Sequence, residues 1–225
     1  MGTVLLVIVG GTVALASLAL ALGPAAQTLR TLRALGRRTR IAEAREGGPV
    51  ILVGMIDSTA GPLESPLTRQ QCVAYDVQVT DLYRSGHPIL AERKAVDFTI
   101  RDDTGTALVS SGGALDLRHM ANVEAVASAG PFRPTTDAME ALLARHEQSS
   151  QGRLVRRMLS FSERVLRLGD QVVVAGLGVS SADPRGGARI GGYRDAPRRF
   201  VLESTPELGL GVSNDPEVVR RMSRR

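Results

Sequence analysis

"KAVDFTIRDDTGTALVS" (94–110) decides the fold class. Val96, Phe98 and Ile100 recur at every second position, the period of a half-buried strand. "RDDTG" is turn chemistry, with Gly105 where a positive φ is expected, and "TALVS" (106–110) can return as the hairpin partner. The same reading spreads outward. In "CVAYDVQV" (72–79), Val73, Tyr75, Val77 and Val79 share one face, while Ala74, Asp76 and Gln78 share the other. "VILVGMI" (50–56) is a short apolar run, "LSFSERVL" and "QVVVAGLGV" flank the turn "RLGD", and "RRFVLES" (198–204) closes the series. One stretch breaks the pattern. "TTDAMEALLARHEQ" (135–148) has Met139, Leu142 and Leu143 at helical spacing, with Asp137 and Glu140 as a capping pair. "GRLVRRML" (152–159) is expected to add a second short helix. The prediction is a mainly β (α+β) domain over 48–205, a small β-barrel-like or OB-like unit with one or two inserted helices.

The chain ends carry a different signal. Thr3 to Leu22 is twenty residues without a charge, ~30 Å as a helix and about one hydrocarbon core. A cleavable signal peptide is the rival reading. No basic residue precedes the run, however, and it exceeds the ~7–15 residues of a signal-peptide core. We read 1–24 as a single N-terminal transmembrane anchor, 25–47 as a basic juxtamembrane linker and 206–225 as a basic C-terminal tail. Arg30, Arg33, Arg37, Arg38 and Arg40 follow the anchor. They orient it with the N-terminus outside and the β domain cytoplasmic, a single-pass cell-membrane protein. They serve either as a plain topology signal or as partners for anionic lipid head groups, at about 1 kcal/mol each.

The net charge of +5 belongs to these flanks, because residues 27–46 hold six arginines against two glutamates and 216–225 hold four against one. The intervening domain is close to neutral. With three Tyr, four Phe and no Trp, the chain offers little stacking surface for nucleic acid, which is not expected as a partner.

Catalytic patterns are sparse. The three histidines, His87, His119 and His146, lie in unrelated settings, and no helical His-Glu-x-x-His, phosphate-binding loop or Gly-x-Ser-x-Gly elbow occurs. No metal or cofactor is expected. Cys72, the only cysteine, is either a reactive thiol or a small packed residue, and the second reading fits a strand without a nearby cation. Asp102–Asp103 suit a tight turn. Glu163 and Asp170 flank "ERVLRLGD", where a buried acid is one reading and turn geometry accounts for Asp170.

Three blocks in order then resemble a known family: "SPLTRQQCVAYDVQV" (65–79), "VDFTIRDDTGTALVSSGGALD" (96–116) and "SERVLRLGDQVVVAGLGV" (162–179). Together they look like the GIDE-type or "beside a membrane" (BAM) domain. It lies next to transmembrane helices in mitochondrial and chloroplast E3 ubiquitin ligases and in bacterial membrane proteins. The resemblance implies that Ser65, Pro66, Leu67, Cys72 and Tyr75 form its "SPL…C…Y" strand signature. It likewise implies that Asp103, Thr104 and Gly105 form its turn, and Glu163, Leu166, Gly169 and Asp170 its "E…L…GD" corner. All twelve would then be architectural. Ligase members add a RING, each of whose two zinc ions takes four Cys or His ligands. One Cys and three His cannot fill two such sites, so ligase activity is not expected. The expected function is a membrane-anchored, non-catalytic interaction module that binds a protein or lipid partner. The alternatives are a ligase-like transferase or an enzyme using Cys72 or Glu163.

Overall fold

The computed structural model describes residues 38–83, 88–112, 115–117, 120, 125–152, 154–182, 198–204 and 209–224. The apolar run 3–22, Arg30, Arg33, Arg37, His87 and His119 lie outside them. Among the described residues no helix is long and apolar enough to cross a membrane. In chain order the strands begin with β1 (Pro49–Thr59), β2 (Leu63–Glu64), β3 (Gln71–Cys72), β4 (Ala74–Asp81) and β5 (Pro88–Ala95). Next come β6 (Phe98–Arg101), β7 (Thr106–Val109), β8 (Leu115–Asp116) and β9 (Ala125–Ala129), then helix α1 (Asp137–Arg145). The chain continues through β10 (Leu159–Leu166), β11 (Gln171–Ala182), β12 (Arg198–Glu203) and β13 (Leu210–Ser213) to helix α2 (Pro216–Ser223).

The mainly β expectation holds. β1, β6, β7, β12 and β11 pair in that order, and β11 pairs back onto β1, closing a five-stranded barrel. The long β1 makes closure possible, since Pro49–Met55 face β11 and Met55–Thr59 face β6, with a bulge between Ile56 and Ser58. At this junction only a glycine fits at 54, because a Cβ there would stand 2.8 Å from the Arg101 carbonyl oxygen. All barrel pairings are antiparallel except β12 with β7.

"VILVGMI" reads as a continuous apolar run because both faces of β1 are covered. Val50, Leu52 and Ile56 point into the barrel with Phe98, Ile100, Val172 and Val174. Ile51, with Val173 and Ala175, faces outward beneath α2, meeting Val218, Val219 and Met222. The Asp215 carboxylate caps α2 by accepting from Glu217 N–H at 2.8 Å, and Pro216 occupies the first turn. Residues 216–223 are therefore a packed helix, which corrects the expectation of a tail. Its charges lie on one face and three apolar side chains on the other.

The domain also starts before residue 48. Ile41 is buried in the barrel core, Thr39 N–H donates to the Ile51 carbonyl, and Arg38 donates to the Ser223 carbonyl at 2.6 Å. Arg38 therefore ties the start of the domain to the end of α2. Arg40 remains exposed.

A second, four-stranded sheet runs β5-β4-β10-β9. Its apolar face, carrying Tyr75, Val77, Val79, Phe161 and Val165, is covered by Met139, Leu142 and Leu143 of α1. Val73 does not share that face as the alternation predicts. It sits at a bend between β3 and β4, donates to the Leu166 carbonyl, and turns into the barrel core with Ala74 and Leu166. One bend thus joins the two cores.

Two further expectations fail locally. The N-cap of α1 is Thr136, whose hydroxyl accepts from Met139 N–H, and Glu140 instead accepts from the hydroxyls of Thr135 and Ser150. The described residues of 152–159 form no helix. Gly152 N–H donates to the Val155 carbonyl and Arg157 reaches Asp81, so local turn and ion-pair bonds replace helical ones.

Candidate functional site

β10 places Leu159, Phe161, Glu163 and Val165 on one buried face, so a carboxylate stands in an apolar row. Opposite it, β2 and β3 pair and leave 65–70 as a loop, closed by Ser65 N–H to Gln70 O and Arg69 N–H to Ser65 O. The loop turns its donors inward onto Glu163. Leu67 N–H donates at 2.7 Å, Thr68 N–H at 2.9 Å, the Thr68 hydroxyl at 2.5 Å and the Ser65 hydroxyl at 3.2 Å. Glu163 is fully buried, and a buried carboxylate is tolerable only with such a donor set. Pro66 is buried beside it, and Gln70 accepts from Arg167 at 3.0 Å, a second tie between loop and corner.

The structure thus unites Ser65, Pro66, Leu67, Cys72 and Glu163 around one buried carboxylate. Cys72 is buried, and burial followed by the nearby Glu163 charge pushes its thiol up to about 11. A thiol shifted that way is mostly protonated at neutral pH and a weak nucleophile.

The remaining positions of the resemblance stand elsewhere. Leu166 is buried in the barrel core. Gly169 adopts a φ of 86° at the β10–β11 corner, and Asp170 accepts from Arg167 N–H at 2.9 Å, so turn geometry accounts for both. At the β6–β7 corner the working acid is Asp102 rather than Asp103. One oxygen accepts from Thr104 N–H, the Thr104 hydroxyl and Gly105 N–H, and the other accepts from Ile41 N–H at 2.9 Å. Burial opposes the charge on Asp102, but these hydrogen bonds outweigh it and hold the carboxyl below its usual range. Gly105 lacks the expected positive φ. The Ile41 side chain instead lies 3.4 Å from where its Cβ would be.

Tyr75 joins a cluster that the sequence did not reveal. Its hydroxyl donates to Glu92 Oε1 at 2.5 Å, while His146 Nε2 lies 2.6 Å from Glu92 Oε2 and Arg145 stands 3.6 Å away. Burial opposes ionisation of Glu92, yet His146, Tyr75 and Arg145 together keep its carboxyl below the usual range. Burial, then the Glu92 hydrogen bond and charge, push the Tyr75 phenol well above its ordinary value. The cluster pins the end of α1 to β5 and makes its phenol less reactive. On the outer face of β4, Asp76 bridges Arg93 at 2.8 Å and Arg164 at 3.5 Å, a cross-strand ion row.

Among the described residues no three His, Cys, Asp or Glu side chains gather as a metal-holding group. A surface groove of about 580 Å³ runs beside α2 between Asp170, Asn214, Val219, Arg220 and Arg224, away from Glu163 and Cys72. Comparison with known proteins gave no match, either to a family model or to a curated relative.

Proposed function

We propose that the protein is a membrane-anchored, non-catalytic interaction module of the GIDE or "beside a membrane" type, lacking a RING. In this reading residues 3–22 span the cell membrane once, the N-terminus is outside, and the OB-like barrel with its second sheet binds a protein or lipid partner at the cytoplasmic surface.

The observation that carries the reading is the bonding of Glu163. Its carboxylate is surrounded by four donors from the Ser65–Thr68 loop, and Cys72 beside it has a thiol shifted toward the neutral form. Groups so engaged hold backbone in place and offer no acid, base or nucleophile to a substrate. This supports reading the family blocks as architecture.

The test is extraction of membranes from cells producing the full chain, followed by proximity labelling from its C-terminus. Retention through high salt and alkaline carbonate, with labelling of cytoplasmic neighbours, is expected. Release by salt alone would remove the anchor, and labelling of outside proteins would invert the topology.

A further inference from the structure

One end of the four-stranded sheet differs from the rest of the surface. The registers pair Leu159 with both Asp81 and Ala129, and Thr80 with Pro88. The segments 82–83, 130–136, 149–152 and 154–158 therefore emerge together at the end remote from the barrel. Leu82 N–H donates to the Met158 carbonyl at 2.9 Å, and Gly130 lies against the Met158 side chain, so the segments are tied into one tip.

Seven large apolar side chains are exposed among the described residues, and five belong to this tip: Leu82, Tyr83, Phe132, Leu154 and Val155. Phe132 and Leu154 are 101% and 97% exposed. Single exposed apolar residues are ordinary, but five on adjoining loops are not. Tyr83, Leu154, Val155 and Arg156 also border a hollow of about 410 Å³.

The charge of the tip is one-sided. Its described segments carry Arg133, Arg156 and Arg157 and no Asp or Glu. Arg157 pairs with Asp81 at 3.0 Å, leaving Arg133 and Arg156 at the rim, the latter close enough to Glu140 to lower that carboxyl. Apolar side chains, a tyrosine and two rim arginines match the acyl boundary, interface and phosphates of an anionic leaflet.

Fifteen residues separate Leu22 from Arg38, a tether of up to ~50 Å if fully extended.

We propose that the tip is a second, reversible membrane contact: Tyr83, Phe132, Leu154 and Val155 enter the boundary of an anionic leaflet while Arg133 and Arg156 hold its phosphates. The proposal rests on the anchored-module reading and adds to it which face of the domain meets lipid. The domain then lies against the membrane by its sheet tip, with the barrel and the groove beside α2 turned to solution.

The test uses the full chain in phosphatidylcholine vesicles with and without phosphatidylglycerol. In a Cys72→Ala background, an environment-sensitive dye is placed by Phe132→Cys, by Leu154→Cys or, as control, by Leu168→Cys at the opposite end of β10. Dyes at 132 and 154 are expected to shift to shorter wavelength and be quenched by brominated lipid only with phosphatidylglycerol, while 168 stays in water. Arg133→Ala with Arg156→Ala, both exposed positions, is expected to lower the embedded-to-free ratio about 30-fold, from about 1 kcal/mol per arginine. Equal behaviour at 132, 154 and 168 would overturn the proposal. So would a shift in neutral lipid that grows with protein concentration, which would assign the patch to a second copy. Carbonate treatment of the same vesicles separates the two readings: an extracted chain sinks the anchor, and a retained chain with a wet tip sinks only this contact.

Discussion

Glu163 sets the residue scale. Glu163→Gln keeps one acceptor but turns an amide donor toward either Leu67 N–H or Thr68 N–H, at an expected cost of about 2 kcal/mol. Glu163→Leu leaves both N–H groups buried without an acceptor and is expected to cost about 3 kcal/mol or more. Urea unfolding of the full chain in detergent reads both, and equal stability of all three proteins would show that the latch does not hold the loop. Cys72 gives a pH signature. Its folded thiol is raised from 9.0 to about 11, so its stabilisation is complete below pH 9 and disappears as pH rises toward 11. Alkylation is expected to wait for unfolding, and rapid labelling of the native chain at neutral pH would contradict the burial. Asp102 has the opposite sign. Its folded carboxyl is depressed, so its contribution is present above the ordinary carboxylate range and vanishes as pH falls through the lowered value. Asp102→Asn should flatten the acid limb of the stability profile. In the sequence Asp102 and Asp103 look alike. The one that works is fixed by Ile41 N–H, sixty-one positions away, and no local pattern contains that.

At the scale of elements, α2 shows what charge conceals. "PEVVRRMSRR" reads as a basic tail because four arginines dominate ten residues. Val218, Val219 and Met222 nevertheless form a stripe that seals the outer face of β1 and β11. Met222→Ala is expected to cost about 2–4 kcal/mol in thermal or chemical unfolding, and Asp215→Ala about 1 kcal/mol through the lost cap. Unchanged stability in both would mean that the helix only rests on the barrel. The strands were more legible, since β6, β7 and β10 follow their two-residue period, and α1 declares itself by Met139, Leu142 and Leu143. "VILVGMI" could not tell which faces were covered, because burial on both sides erases the alternation. The helix expected at 152–159 failed for a related reason: Arg157 looks like a helical surface residue until Asp81 arrives from another strand.

For the whole molecule, the bend at Val73 matters most. Val73, Ala74 and Leu166 pack in the barrel, while Cys72, Tyr75 and Val165, their neighbours in the chain, pack under α1. Two cores sharing continuous strands should melt as one. Loss of strand dichroism and exposure of the Cys72 thiol are expected at the same denaturant concentration, and separated midpoints would mean two independent units. The mainly β class and seven of the strands were readable in the sequence, whereas β2, β8, β9, β13 and most of β5 were not; nor was the partition into two cores, since it turns on a single residue leaving its expected face. Barrel closure has a further consequence during synthesis. β1 and β7 find their last partners only in β11 and β12, so both edges stay bare until residues 171–203 have left the ribosome. A chain stalled before that point displays two open strand edges, the kind that recruits stray strands and chaperones.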